Sequence, residues 1–234
     1  MSGTDYWVVI PAAGSGRRLG GGIRKQYLHI GNKTILEHAI HATRRHPDSA
    51  GVVVAIAGDD DLWPDIDTRL PLPVRTVTGG ATRARSVLAG LEHLAGFCAH
   101  DQLVLVHDAA RPCLSREDLH QLLAVATTEL DGAVLAVAMT DTVKRVADGR
   151  VAQTLARDDL VRAVTPQAFR LGALRSAIEA ALAAGEEPTD ECAAMERAGY
   201  RPRVVLGGSD NIKVTFPADL EHAEQILAKS GAGV

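Results

Sequence analysis

The chain is poor in aromatic residues, poor in cysteine and without any basic excess, and each shortage removes a class of function. Aromatics make up 3% of its 234 residues, too few for a platform that stacks the bases of an extended single strand. The formal net charge is −4 and the pI is near 6.1, so bulk charge lends no support to nucleic-acid binding. The three cysteines, Cys98, Cys113 and Cys192, are scattered, and no Cys-x-x-Cys occurs. Neither a disulfide framework nor a zinc site is indicated, and each thiol is expected to be a small buried or half-buried side chain. No apolar run approaches the ~18 residues of a membrane span, and the N-terminus lacks the basic-then-apolar pattern of a signal peptide. The expectation is a cytoplasmic protein with neither membrane nor nucleic-acid partners.

What the chain does carry begins within its first thirty residues. Tyr6-Trp7-Val8-Val9-Ile10 is apolar and β-branched, the pattern of a buried strand. It runs into Pro11-Ala12-Ala13-Gly14-Ser15-Gly16-Arg17-Arg18-Leu19-Gly20, where small residues and glycines let the chain turn tightly and present bare N–H groups to an anion. Arg17 and Arg18, followed by Lys25, add cations, a combination that suits a polyphosphate. The alternative is a purely structural strand–turn–helix junction, since glycines there also serve as turns and C-caps. Two better-known loops are excluded on residues. A Walker loop needs Gly-Lys-Ser/Thr, and Gly16 is followed by Arg17-Arg18. A dinucleotide fingerprint needs its third glycine where Leu19 stands.

Further along, Thr34-Ile35-Leu36-Glu37 has the spacing of a capping box, opening a helix that His46-Pro47 closes. His38, His41 and His46 on that helix are expected on a solvated face. Gly51 to Ile56 is a second strand. Asp59-Asp60-Asp61 after it suggests divalent-cation chemistry, but a solvated or N-capping role is favoured. Val74 to Thr78 leads into a second glycine turn, Gly79-Gly80-Ala81-Thr82, and a helix on which the Ser86 hydroxyl faces either a ligand or the backbone. Leu103-Val104-Leu105-Val106 is a core strand, with Asp108 and Arg111 at its carboxyl end, where open α/β sheets bind ligands. Asp108 suits a metal or a ligand hydroxyl there, and Arg111 a phosphate; a surface Asp–Arg pair is the weaker alternative.

Ser115 caps the next helix, and Ala133 to Ala138 forms another core strand. Thr142 to Ala147, Asp148-Gly149 and Arg150 to Leu155 then read as a β-hairpin. Its faces are too polar for a core, and an isolated hairpin is marginal in water, so it is expected to pack on a second copy of the chain. Thr165-Pro166-Gln167 is expected to break the chain before a helix, and Thr189-Asp190-Glu191 to act as a cap. Arg203 to Leu206 is a late strand, followed by a turn that delivers Lys213 and by a final amphipathic helix. No repeat or low-complexity linker divides the chain. The expected architecture is one domain over residues 1–234, with no fused second enzyme. Its fold class is α/β, with a Rossmann-like, doubly wound, mostly parallel sheet flanked by helices and an extruded hairpin arm at about 139–160.

The phosphate-seeking cations thus come from separate places: Arg18 and Lys25, Arg111, and Lys213. No Ser-His-Asp spacing, nucleophilic cysteine motif or H-E-x-x-H accompanies them. Such a site suits nucleotidyl transfer, in which a substrate phosphate attacks a nucleoside triphosphate in line and the protein orients reactants and stabilises charge. P-A-A-G-S-G-R-R-L-G with K-Q-Y, then V-H-D-A-A-R-P, D-T-V-K-R, T-P-Q, T-D-E and D-N-I-K-V-T follow one another from residue 8 to residue 215. In this order they resemble the 2-C-methyl-D-erythritol 4-phosphate cytidylyltransferase family, with its nucleotide-diphospho-sugar transferase-like fold. The glycine loop is shared by many sugar nucleotidyltransferases; V-H-D-A-A-R-P with D-N-I-K-V-T is far more specific.

The resemblance implies that CTP phosphates lie on the backbone of Ala12, Ala13, Gly14 and Gly16, with Arg18 and Lys25 stabilising the pentavalent transition state. It implies that Gly80, Ala81 and Ser86 border the cytidine and that Ala109 lines the pocket. Asp108 is the implied Mg²⁺-side carboxylate, with other divalent cations left open, and it belongs to the substrate side. Arg111, Thr165 and Lys213 are implied to hold methylerythritol phosphate. Thr142 and Arg157 are carried by the arm into the partner subunit's site of a homodimer. Two departures stand out. Arg24 occupies the place where the family usually has proline, after Gly20-Gly21-Gly22, so the empty loop is expected to be mobile. Ala81 replaces a frequent acidic residue, which leaves base selectivity open. A cytidylyltransferase for another polyol phosphate, such as ribitol 5-phosphate, is the nearest alternative; a non-catalytic nucleotide-binding protein is a more distant one.

Overall fold

In the computed structural model, residues 5–14, 24–67, 70 and 74–230 are described. Strand β1 (Tyr6–Pro11) leads, past the small antiparallel pair β2 (His29–Ile30) and β3 (Lys33–Thr34), into helix α1 (Ile35–Thr43). The expected capping box opens that helix: the Thr34 hydroxyl accepts from Glu37 N at 3.2 Å, and the Glu37 carboxylate accepts from Thr34 N at 2.7 Å. Strand β4 (Ser49–Ile56), the short helix α2 (Trp63–Asp67), β5 (Val74–Thr78), α3 (Arg83–Ala95), β6 (Leu103–Val106) and α4 (Arg116–Ala126) follow in alternation. Then come β7 (Ala133–Ala138), the hairpin β8 (Val143–Ala147) and β9 (Arg150–Leu155), and β10 (Val161–Arg170). Helices α5 (Leu171–Ala183) and α6 (Glu191–Arg197), β11 (Arg203–Leu206) and α7 (Pro217–Lys229) complete the chain.

Seven strands form one mixed sheet in the order β11-β7-β10-β6-β1-β4-β5. β1 pairs in parallel with β4 and β6, β4 with β5, and β11 with β7; β10 alone runs antiparallel to both its neighbours. Period-2 alternation along β1 shows why helices cover both faces. Tyr6, Val8 and Ile10 pack with Leu36 and Ile40 of α1 and with Leu119 and Leu122 of α4. Trp7 and Val9 point the other way, onto Val87 and Leu91 of α3 and Leu174 and Ile178 of α5. Each of these fully buried leucines contributes about 2 kcal/mol by its removal from water. Helix α7 closes a smaller third cluster through Ala223 and Leu227.

The expected break at Thr165-Pro166-Gln167 does not occur. β10 runs through it, with a shift in its pairing to β7 between Ala163 and Gln167. Pro166 has no N–H to give to a ladder, and the strand accommodates it by leaving the ladder at that point. The histidines also depart from expectation. His38 is 3% exposed, and its Nε2 lies 2.9 Å from Ile30 O, so it belongs to the packing of α1 against β2. The hairpin does form as a separate two-stranded sheet, turning at Asp148 (φ 48°) and Gly149 (φ 73°). Positive φ at both central residues is what a two-residue hairpin turn requires.

Candidate active site

The order of the sheet reverses at β1, whose two neighbours β4 and β6 are reached in opposite directions, so a crevice opens beyond the carboxyl ends of β1 and β6. A cleft of about 820 Å³ fills it, lined by Ala12, Ala13 and Gly14 from the first glycine turn and by Gly80, Ala81, Thr82 and Arg83 from the second. Lys25, Asp108, Ala109, Lys213 and Thr215 complete its wall. The two glycine turns touch. A Cβ on Gly79 would lie 2.6 Å from the Ala13 Cβ, so glycine is required for that approach. The Ser86 hydroxyl donates to Thr82 O at 2.9 Å and accepts from Gly80 N at 3.2 Å. Of the two roles open to it, the backbone one is observed, and Ser86 (2% exposed) shapes the turn from behind.

Charge in the cleft is arranged as a chain of ion pairs. The Arg83 guanidinium forks onto the two Glu191 oxygens at 2.7 and 3.0 Å, and its Nε donates to Asp108 Oδ1 at 3.0 Å. Lys213 Nζ donates to Asp108 Oδ2 at 2.8 Å, and Arg111 Nε lies 3.6 Å from the same oxygen. Burial alone would raise the Asp108 pKa, but Arg83, Lys213 and Arg111 outweigh it and hold this carboxyl well below the usual carboxylate range. Burial likewise opposes the Arg83 charge, and Glu191 and Asp108 more than restore it. Three cations against two carboxylates leave the group with one net positive charge before Lys25 is counted, which suits an anionic ligand.

Behind the cations lies a buried neutral scaffold. Burial pushes His107 down to about 4, so its ring is uncharged at neutral pH. Its Nε2 lies 2.9 Å from Arg111 O, which only accepts, so Nε2 carries the proton. Its Nδ1 then accepts from the Thr165 hydroxyl at 3.1 Å, and that hydroxyl in turn accepts from Asp108 N at 3.0 Å. Asn211 ties the last loop down by donating to Thr165 O at 2.8 Å, while Arg111 donates to Asn211 O at 2.8 Å. Val214 N bonds to Ala110 O at 2.8 Å, and Lys25 Nζ donates to Val214 O at 3.2 Å. The loops that carry Lys25, Asp108 and Lys213 are therefore stitched to one another.

Of the residues expected from sequence, Ala12, Ala13, Gly14, Lys25, Gly80, Ala81, Asp108, Ala109 and Lys213 line this cleft. Arg111 and Thr165 stand immediately behind it, bonded to Asp108. Gly16 and Arg18 lie outside the described residues. Thr142 and Arg157 are exposed at the base of the hairpin, where Arg157 donates to Thr140 O, and neither lines the cleft of its own chain. Arg83 and Glu191 carry no site signature in the sequence. Arg83 looks like any helix-opening cation, and Thr189-Asp190-Glu191 reads as a cap, a role that Asp190 performs by accepting from Ala193 N at 2.9 Å. Only the 108-residue separation of the Arg83–Glu191 pair hid it.

The donor set does not fit Asp108 as a resident metal ligand. Both its oxygens are already engaged by cations, and among the described residues no group of three His, Cys, Asp or Glu is placed to hold a metal. Asp59 and Asp60 are not free for a metal either, because Arg24 pairs with both at 2.7 Å.

A sequence model of one family, described as 2-C-methyl-D-erythritol 4-phosphate cytidylyltransferase, matches residues 6–229. Proteins of that name from Ectopseudomonas mendocina (strain ymp) and Stenotrophomonas maltophilia (strain K279a) are each 50% identical over 224 residues. That span covers 95% of this chain in both cases, and 95% and 97% of theirs. Among solved structures, a 4-diphosphocytidyl-2C-methyl-D-erythritol synthase superposes with a TM-score of 0.83 at 37% identity, covering 95% of this chain and 98% of its own. The Francisella tularensis 2-C-methyl-D-erythritol 4-phosphate cytidylyltransferase superposes with a TM-score of 0.78 at 35% identity, covering 95% and 100%.

Proposed function

We infer the roles of individual side chains from one premise: the chain belongs to the 2-C-methyl-D-erythritol 4-phosphate cytidylyltransferase family. Its reaction is the transfer of a cytidylyl group from CTP to 2-C-methyl-D-erythritol 4-phosphate, with release of pyrophosphate. The observation that carries the assignment of roles is that Lys25 and Lys213 line one cleft from opposite ends of the sequence.

CTP lies with its phosphates on the backbone of Ala12, Ala13 and Gly14, continuing onto Gly16. Its cytosine sits against Gly80 and Ala81, whose backbone groups read the base in place of a carboxylate. Methylerythritol phosphate sits toward Lys213 and Arg111, with Asp108 accepting from its hydroxyls. A phosphate oxygen of this acceptor attacks the α-phosphorus; the new O–P bond forms as the bond to the β-phosphate oxygen breaks, and pyrophosphate leaves. The attacking group is already anionic, so no side chain has to remove a proton. Lys25 and Arg18 stabilise the charge that spreads over the α-phosphate and the leaving group. Bound Mg²⁺ would supply charge neutralisation for the triphosphate as a hard, oxygen-seeking cation; Asp108, engaged by Arg83 and Lys213, orders the acceptor.

The hairpin β8–β9 completes the site of a second copy, forming a homodimer in which Arg157 and Thr142 reach the partner's acceptor phosphate. The support for this is the exposure of its valines, Val146 at 60% and Val151 at 63%, which face each other across the hairpin with nothing covering them among the described residues. A cytoplasmic setting agrees with the free state of Cys98, Cys113 and Cys192, and no described helix is long and apolar enough to cross a membrane. The roles are tested by measuring pyrophosphate release with CTP and methylerythritol phosphate for Lys25→Ala and Lys213→Ala. Lys25→Ala is expected to lower kcat, and Lys213→Ala chiefly to raise KM for methylerythritol phosphate. The opposite split would reverse the assignment of the two ends of the cleft.

A further inference from the structure

Lys25 is carried by a single 3-10 turn, Lys25–Tyr27, which holds itself with little more than the bonds Tyr27 N to Arg24 O at 2.9 Å and Leu28 N to Lys25 O at 3.2 Å. Arg24, at its N-cap, makes no side-chain capping bond. So short a turn has no cooperative stability of its own and takes its orientation from whatever it is fastened to. The residues flanking the lysine both fasten to one carboxylate. Arg24 Nη1 lies 2.7 Å from Asp60 Oδ2, and the Tyr27 hydroxyl donates to that same oxygen at 2.8 Å. Asp60 Oδ1 accepts from Leu62 N at 3.3 Å, so the carboxylate is itself fixed by its own loop.

The Asp60 side chain is 0% exposed, whereas that of Asp59, which pairs with the other Arg24 nitrogen at 2.7 Å, is 85% exposed. A buried, doubly engaged carboxylate is a mount; an exposed one adds little. Burial and the Asp60 carboxylate also raise the Tyr27 pKa, keeping the hydroxyl as a proton donor. Between these two fastenings, Gln26 Nε2 donates to Ala12 O at 2.8 Å. The turn is therefore pinned at both flanks to Asp60 and at its middle to the phosphate-binding loop.

We propose that Asp60 is a positioning residue for cytidylyl transfer, acting through Arg24 and Tyr27 to aim Lys25 at the α-phosphate. This rests on the reading of Lys25 given above. Steady-state kinetics of Asp60→Asn test it, in the otherwise native chain and in a Lys25→Ala background, each with CTP and methylerythritol phosphate varied in turn. In the native background kcat is expected to fall about tenfold or more, the scale at which a misplaced group loses its effect on a transition state. Both KM values should stay within about twofold. In the Lys25→Ala background the same substitution should change the residual turnover by less than about twofold, because a residue that acts through Lys25 has nothing left to aim.

An unchanged kcat for Asp60→Asn in the native background overturns the proposal, as does an equal loss in both backgrounds, which would mark a general structural role. Should Lys25→Ala itself retain full turnover, the reading of Lys25 falls first and the proposal with it. Tyr27→Phe, which deletes one hydrogen bond and keeps the ring, repeats the comparison with less demand on folding and is expected to show the same loss of effect without Lys25.

Discussion

The cleft and the hairpin arm treat their charges in opposite ways. In the cleft Arg83, Asp108, Glu191 and Lys213 are paired before any ligand arrives, and Glu191 is 1% exposed. On the arm, Lys144, Arg145, Arg150 and Arg157 are exposed, and the described contacts there stay within the arm and its base, such as Lys144 Nζ to Thr154 Oγ1 at 2.7 Å. The contrast teaches where function and stability coincide. A buried pair loses several kcal/mol when one member is removed, because the other is left uncompensated, while an exposed charge is worth about 1 kcal/mol or less to the fold. Cleft substitutions should therefore disturb folding and turnover together, and arm substitutions turnover alone.

Glu191→Ala should produce the largest effect, a loss of about 3 kcal/mol read from the denaturant midpoint, since it removes the buried partner of the half-buried Arg83 guanidinium and leaves it Asp108 alone. A midpoint equal to that of the native chain would mean that solvent and Asp108 compensate Arg83 fully and that the cleft is no different from the arm. The next effect is on pH. His107 is held at about 4 against an ordinary 6.5, and burial is the first cause. Its contribution is complete above pH 6.5 and is lost as pH falls through 4, because the unfolded chain takes up the proton first. The gap corresponds to about 3 kcal/mol. His107→Gln should flatten the fall of stability between pH 6.5 and 4; an unchanged slope would refute the buried, neutral ring.

Smaller still, Arg157→Ala should lower kcat/KM for methylerythritol phosphate about 10- to 100-fold, the worth of a charged hydrogen bond to phosphate. Its unfolding midpoint should not move. A midpoint that falls along with activity would make the arm a structural element like the cleft. Least of all, Val146→Thr should leave the monomer's stability within about 0.5 kcal/mol; size-exclusion chromatography at falling concentration would then show whether dimerisation depends on that face.

Much of this was legible in the residues. Strand β1, the Thr34–Glu37 capping box and the hairpin at Asp148-Gly149 all appear where the sequence pattern expects them, because each depends on groups within a few residues of one another. The anion-binding character of the cleft was legible too, since glycine turns and scattered cations share one purpose. Other features escaped. Asp60 looks like one member of a solvated acidic run, and its burial follows from Arg24 and Tyr27, more than thirty residues earlier. Thr165-Pro166 looks like a break, yet it lies inside a strand flanked on both sides, where neighbours override local preference. The helix histidine His38 looks solvated until β2 is placed above it.

The sequence by itself determined most of the strands, turns and helices, and glycine turns with scattered cations that suit a polyphosphate, because period, capping and turn chemistry act over one or two turns of chain. Only the tertiary structure decided which charges meet. Arg83 reaches Glu191, Lys213 reaches Asp108 and Arg24 reaches Asp60 because the sheet order sets β1 beside both β4 and β6. A buried ion is tolerable only where a partner from another segment is delivered to it, and no stretch of sequence carries that partner's position.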